Sequence, residues 1–383
     1  SKPIFDLKEA LMEPGTEFDR EYLHEALADA VDHHFVSDVP VSLFLSAGRD
    51  SSTILALAAE GRSDPVHAVT LEFQEYLGTE NDESELAAEV ARQCHADHLI
   101  HRVSGDEFKG DIEALLSAMD QPTIDGANTY FVCKVAHKLG VRVSLSGLGA
   151  DEMFGGYPSF RQIPKLTRAL RWTKAAPGLG RGVRSAASRL GIRRSLPKFP
   201  GLLEYGGTIE GAYLLRRGLF MPWELGSILD ADMLNTGLEE LAILDRLRAI
   251  TCGLPTDYAK VMALESSVYM RHRLLRDSDW ASMAHSLELR VPFVDIELMR
   301  RLGPWIASGN PPTKDAMARS PKQQLPEAVL NRPKTGFNVP IAEWALQLEP
   351  NAPREHSFRQ WARYVYKRQS GGEHLLKPLP LPA

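Results

Sequence analysis

The stretch Val41-Ser42-Leu43-Phe44-Leu45-Ser46-Ala47-Gly48-Arg49-Asp50-Ser51-Ser52 decides how this chain is read. A β-prone apolar run stops at Leu45 and gives way to Ser-Ala-Gly-Arg-Asp-Ser-Ser. A helix-like segment, Thr53 to Glu60, follows at once. A buried parallel strand that turns tightly into a helix N-terminus leaves backbone N–H groups and the positive end of the helix dipole facing one point. Ser46, Ser51 and Ser52 add hydroxyl donors suited to pyrophosphate oxygens, and Asp50 is placed to hold Mg²⁺ among them. The turn is not a Walker A loop, because no Gly-Lys-Ser/Thr follows. Taken alone, it also reads as an ordinary Ser/Gly strand-to-helix turn.

Outward from this turn, helical and strand periodicities alternate. Phe18 to Val36 has helical spacing, Pro65 to Phe73 reads as a strand, and Asp82 to Cys94 as a helix. His98 to Val103 is a third strand by weak alternation. Phe108 to Met119 and Tyr130 to Leu139 are helical, and Val141 to Ser146 is a further strand. This predicts right-handed βαβ units in an α/β fold: a parallel twisted sheet with helices on both faces. Beyond Phe160 the pattern is mainly helical, with a strong helix over Tyr258 to Arg276 and another from Trp280 to Leu287 capped by Asp279. The domain reading is a tether over 1–18 and one large domain over 19–350, divided into an α/β core (19–160) and a helical half (161–350). A tail over 351–383 ends in Lys-Pro-Leu-Pro-Leu-Pro-Ala.

The second strand-to-turn sequence is Ser146-Gly147-Leu148-Gly149-Ala150-Asp151-Glu152-Met153-Phe154-Gly155-Gly156-Tyr157. In open parallel sheets ligands sit beyond the C-terminal ends of the strands, so both turns serve one site. The first turn resembles the Ser-Gly-Gly-x-Asp-Ser signature of ATP pyrophosphatases (HUP-like fold). The second resembles the Ser-Gly-x-Gly-x-Asp-Glu-x-Phe-Gly-Gly-Tyr signature of the asparagine synthetase family. Leu274 to Asp295, with Ser278-Asp279-Trp280 and Glu288-Leu289-Arg290-Val291-Pro292-Phe293, is a third match. Arg332-Pro333-Lys334-Thr335-Gly336-Phe337, with Pro340 and Trp344, is a fourth. The resemblance covers nearly the whole chain except its two ends.

This resemblance implies an ATP-dependent amide ligase that forms an acyl-AMP and pyrophosphate and then passes the acyl group to ammonia. Asp50 and Asp151 would coordinate Mg²⁺. Ser46, Gly48, Ser51 and Ser52 would cradle pyrophosphate, with Phe44 and Ala47 in the same nucleotide-binding set. Leu71, Ser146 and Gly147 would bracket the adenosine. Lys334 would approach the phosphates and the tetrahedral intermediate, and Glu152 completes the catalytic set. Glu288 and Arg290 read either as an acceptor-site pair or as a structural ion pair.

This chain also departs from the family. Ala47 replaces a Gly, which demands negative φ there. Characterised members carry Glu where this chain has Leu148, and an Arg near the position of Tyr130. These changes predict a carboxylate acceptor larger or less charged than aspartate. An amine nucleophile, as in β-lactam synthetases or peptide cyclases, is the alternative chemistry. A non-catalytic nucleotide-binding scaffold is a third reading. Glutamine-dependent members begin with a glutaminase domain that supplies ammonia. This sequence reaches the synthetase motifs almost at once, so ammonia is expected from a separated glutaminase half, a partner or solution.

Composition narrows the class further. With 44% hydrophobic and 25% charged residues the chain has the balance of a globular protein. Its net charge of −6 gives no general attraction to nucleic acid. No apolar run is long enough to span a bilayer, and the expected location is the cytoplasm. Cys94, Cys133 and Cys252 are too dispersed for a disulfide framework or a metal site. The sequence leaves a homo-oligomer open. Charge is distributed unevenly: no acidic residue falls between Met153 and Leu203, while eleven Lys or Arg occur from Arg161 to Lys198. That stretch has helical spacing over Arg161 to Trp172 and is rich in Gly and small residues after it; it reads as a partly mobile basic insertion or as a docking face for an anionic acceptor, carrier or membrane.

Overall fold

The apolar run Val41–Phe44 forms β1, the centre of a five-stranded sheet. The computed structural model describes residues 5–15, 19–79, 82–175, 177–189, 198–226, 228–332 and 357–369. The other strands are β2 (His67–Phe73), β3 (Asp97–Val103), β4 (Val143–Leu145) and β5 (Glu288–Arg290). All pairings are parallel, in the order β3-β2-β1-β4-β5. A central parallel strand is covered on both faces, which is why β1 is continuously apolar apart from Ser42. The Ser42 hydroxyl donates to Ser144 Oγ at 2.9 Å on the neighbouring strand, so the polar pair is satisfied inside the sheet.

The order of the strands positions the site. From β1 the chain moves outward through β2 and β3, then crosses back to place β4 on the other side of β1. The crevice where the direction reverses lies between β1 and β4, with Val41 level with Val143 and Leu43 with Leu145. Both signature turns leave the sheet at that crevice. The helices around it are α1 (Leu7–Ala10), α2 (Arg20–His34), α3 (Arg49–Glu60), α4 (Ser84–Gln93), α5 (Gly105–Ala118), α6 (Ala127–Lys138) and α7 (Ala150–Met153). Asp19 caps α2 by accepting from Glu21 N, and Leu23, Ala26, Leu27, Ala30 and Val31 form its buried stripe. One apolar cluster joins α2, α3 and β1 to the helices Ile209–Arg217, Asp257–Leu264 and Ile296–Ala307. A second lies under α5 and α6 and takes in Trp280 and Trp361.

Several sequence expectations change. The segment read as a tether docks on the body: Leu11 is fully buried, and Gly15 N donates to Pro304 O at 2.7 Å. The helix expected to start after Asp279 does not start there. One continuous helix runs from Asp257 to Met283, and its middle, Glu265–Leu275, is wound as a π-helix. β5 comes from the helical half, so residue 160 is not a boundary of the sheet. In the basic stretch the helical spacing over Arg161 to Trp172 matches α8 (Ser159–Leu170), whereas the Gly-rich part beyond it forms a second helix, α9 (Pro177–Arg189). Ser357–Gln369 is a helix anchored by the buried Trp361, and the Pro-rich end lies outside the described residues.

Candidate active site

The turn after β1 is held by its own serines. Ser51 Oγ donates to Ser46 O at 3.1 Å and accepts from Ser46 N at 3.1 Å. Gly48 N donates to Ser46 Oγ at 3.1 Å. Gly48 is the N-cap of α3 and, lacking a side chain, makes no side-chain cap hydrogen bond to the first turn. Ser52 Oγ is buried with no hydrogen-bond partner among the described residues. Ala47 is fully buried and is not among the positive-φ residues, so its methyl group is accommodated where a Gly was expected. Phe44 and Leu71 both pack on the second apolar cluster, beside the turn.

The turn after β4 meets the first at close quarters. Ser146 N donates to Arg290 O at 2.9 Å, which fixes the strand end. A Cβ at Gly147 would lie 2.7 Å from Asp50 Cβ and 3.0 Å from Ser51 N, so only Gly lets the two turns touch. Gly149 caps α7 with φ +98, a conformation that favours Gly. α7 then presents Asp151 to the crevice and Glu152 to the interior.

Asp50 and Asp151 are brought together on one cation, Lys314. Its Nζ donates to Asp50 Oδ2 at 2.9 Å and also to Asp151 Oδ1. Lys314 opens a short helix, Lys314–Ala318, capped by Thr313. Burial alone would push its ammonium pKa down, but the two carboxylates outweigh burial and hold it above the ordinary lysine value. Nothing in the local sequence Pro-Pro-Thr-Lys marks this residue, and the sequence reading missed it. Glu152 is buried, and Tyr157 Oη donates to its Oε1 at 2.9 Å. Burial first, then the neighbouring Asp151, pushes its carboxyl up to about 7.

Other residues singled out from the sequence fall elsewhere. Lys334 lies outside the described residues. The chain approaches it from the site, since Arg49 donates to Leu330 O and Arg332 pairs with Glu83 at 3.3 Å. Tyr130 is buried, with its ring 4.4 Å from that of His285, so it belongs to the core of α6. Leu148 is half-buried in its turn. Arg290 pairs with Glu288 at 2.7 Å and donates to His34 O and Val36 O at the end of α2. Of the two readings of this pair, the structural one matches the geometry. Burial pushes the Cys94 thiol up to about 11 and raises that of Cys133 as well, whereas Cys252 is exposed. Among the described residues no helix is long and apolar enough to cross a membrane, and no cluster of three metal-binding side chains occurs.

A parallel sheet with a capless helix N-terminus and a carboxylate pair at its switch point defines a doubly wound α/β protein with its polar site at the strand ends. The family model for asparagine synthase matches residues 22–368, and the chain belongs to that family, one of ATP-dependent amide ligases. It is 29% identical over 364 residues to asparagine synthetase (glutamine-hydrolyzing) 1 of Bacillus subtilis, covering 93% of this chain and 54% of that protein. It is 33% identical over 328 residues to a putative asparagine synthetase (glutamine-hydrolyzing) of Mycobacterium tuberculosis, covering 83% of this chain and 48% of the relative. Over 161 residues, 36% of this chain and 23% of the relative, it is 31% identical to amidase chyE of Penicillium rubens. The chain thus spans about half the length of the two synthetases.

Proposed function

We propose that this chain adenylates a carboxylate with ATP and transfers the acyl group to ammonia. The observation that carries this reading is the convergence of Asp50 and Asp151 on one cation beside an anion-binding turn. A carboxylate does not acylate an amine at neutral pH, because oxide would have to leave. In the first step a carboxylate oxygen attacks the α-phosphorus of ATP, the bond to the bridging oxygen breaks, and pyrophosphate departs. In the second, ammonia adds to the acyl carbon, AMP leaves, and a proton is released.

The chain's own groups fit these demands. The N–H groups of the first turn of α3, with Ser46, Gly48, Ser51 and Ser52, receive the pyrophosphate. The buried unpartnered hydroxyl of Ser52 is a donor suited to it. Phe44, Ala47, Leu71, Ser146 and Gly147 line the nucleotide. Asp50 and Asp151 would hold Mg²⁺, which prefers one or two carboxylates together with phosphate oxygens and water. The ion would supply neutralisation of the charge that develops on the phosphates. Lys314 already places a positive charge between the two carboxylates and would move its N–H donors to phosphate when they bind metal. Lys334 acts from the segment that follows Arg332. Glu152 supports the Asp151 turn from behind through Tyr157. Ammonia comes from a glutaminase domain, a partner or solution.

ATP–pyrophosphate exchange with a panel of carboxylic acids tests this reading. Asp50→Asn should abolish exchange and leave the circular dichroism spectrum unchanged, because it removes a ligand and no core packing. Exchange at the wild-type rate would overturn the assignment.

A further inference from the structure

The basic stretch takes no part in the site described above, yet it folds into an ordered face. On α8, Arg161, Lys165 and Arg168 stand at i, i+4 and i+7, so they line one side of the helix. Phe160 and Ile163, turned the other way, are buried. Arg171 and Lys174 continue the run in the 3₁₀ segment Arg171–Ala175, where Thr173 is buried. All five cations are exposed, and the side chain of none makes a hydrogen bond or ion pair among the described residues. Surface cations elsewhere find partners: Arg300 pairs with Glu297, Arg319 with Asp315 and Arg368 with Glu113. Here the helix offers none, because no acidic residue falls between Met153 and Leu203.

Apolar groups are exposed beside these charges. Trp172, next to Arg171, is 53% exposed, although Trp is a highly buried residue on average. α9 packs against the Arg171–Ala175 segment and against Phe199–Gly201. A Cβ at Gly180 would lie 2.6 Å from Glu204 Cα, and Arg184 Nε donates to Glu204 at 2.6 Å. Gly180 and Arg184 therefore form the inner side of α9. Leu179 and Val183, one turn apart on its flank, are 47% and 40% exposed, and Phe199 is 55% exposed. The unpaired cations and the exposed apolar groups thus lie on adjoining elements.

We infer that this face docks on an anionic lipid bilayer. The five cations meet the headgroup phosphates, and Trp172, Leu179, Val183 and Phe199 enter the boundary between headgroups and acyl chains. Trp is the side chain best suited to that boundary, with an apolar body and one N–H donor. Charge complementarity selects a negative surface: a chain of net charge −6 is repelled by one everywhere except through such a patch. The apolar groups favour lipid over nucleic acid. Single strands are held by rings that stack on bases, and the aliphatic Leu179 and Val183 offer none, whereas acyl chains accept any apolar group. The inference stands apart from the adenylation reading, since it uses none of the same residues.

Co-sedimentation with vesicles tests it. The protein should bind vesicles of phosphatidylcholine and phosphatidylglycerol in equal parts, leave vesicles of phosphatidylcholine alone, and be released by high salt. Replacing three cations together, Arg161→Gln, Lys165→Gln and Arg168→Gln, should weaken partitioning about a hundredfold, at about fivefold per charge. The circular dichroism spectrum and urea midpoint of that variant should match the wild type, because the three side chains are exposed. On binding, tryptophan emission should move to shorter wavelength, and Trp172→Phe should bind but lack that change. The inference is overturned if anionic vesicles are not bound, if phosphatidylcholine alone is bound equally, or if the triple variant binds as wild type does. A full emission change in Trp172→Phe also overturns it. If single-stranded RNA is held through the same three cations while vesicles are not, the face is a nucleic-acid site and the lipid inference fails.

Discussion

At the scale of single residues, Lys314 has the largest consequence. It is mostly buried between two carboxylates that would repel each other without it. Removing one partner from a buried ionic group costs about 3 kcal/mol when the remaining charges stay unpaired. Lys314→Met should therefore lower stability by about 2–3 kcal/mol in metal-free buffer, with millimolar Mg²⁺ recovering part of the loss. Urea titrations with and without Mg²⁺ check this, and equal stability of variant and wild type would refute it. Because the Lys314 pKa is raised on folding, its stabilisation is complete below the unfolded value of 10.5 and fades only as pH rises above it. Glu152 behaves in the opposite sense to a salt-bridged carboxylate. Its pKa rises from 4.5 unfolded to about 7 folded, so the native state binds the extra proton between those values. Stability falls as pH rises through that window, by up to about 3 kcal/mol from this site. Glu152→Gln should lack that slope. Denaturation midpoints of the two proteins at both ends of the window give the comparison, and parallel profiles would sink the account. Asp50, Asp151 and the serines were readable from their motifs. Lys314 was not, since a lone lysine after Pro-Pro-Thr carries no local sign that distant carboxylates await it.

At the scale of elements, two tight turns carry the site, and their contact rests on a missing side chain. Gly147→Ala would set a methyl group 2.7 Å from Asp50 Cβ. Overpacking of this kind costs about 1–3 kcal/mol, and here it displaces a carboxylate of the site. Pyrophosphate release should drop at least tenfold while the fold survives; unchanged kinetics would show that the turns do not need this approach. The turns themselves were legible because strand, turn and helix N-terminus are local in sequence. The π-wound segment Glu265–Leu275 was not. Its periodicity resembles an α-helix over short windows, and Glu265 at its start meets partners far away in the chain: Ser159, and Arg217 at 2.8 Å. The helix of the basic stretch was hidden by Gly178, Gly180 and Gly182, which weaken helix propensity. Its packing against Leu202–Tyr205, including the 2.6 Å bond from Arg184 Nε to Glu204, lies outside local propensity.

At the scale of the whole molecule, the α/β and helical halves are not independent. β5, contributed by the helical half, pairs with β4 and supplies the carbonyl that receives Ser146 N. The main apolar cluster runs from α2 and β1 into Ile209–Arg217 and Ile296–Ala307 without interruption. The two halves should therefore unfold together. Tryptophan fluorescence, which reports mainly on the second half, and far-ultraviolet circular dichroism should give superimposable urea transitions. Separate midpoints would show that the sheet survives loss of the helical half.

The sequence by itself determined the alternating strands and helices, the two turns and the residues within them that bear chemistry, because each of these is set by neighbours a few positions away. It also carried the family resemblance, since the motifs keep their order along the chain. Only the tertiary structure decided which distant groups meet. It placed Lys314 between Asp50 and Asp151, turned Arg290 to the end of α2, buried Tyr130 in the core, and joined the Arg217–Leu229 segment, the π-wound helix and the last described helix around one cavity. These contacts link residues separated by tens to hundreds of positions, and their energies come from burial and charge pairing, which no local pattern in the chain encodes.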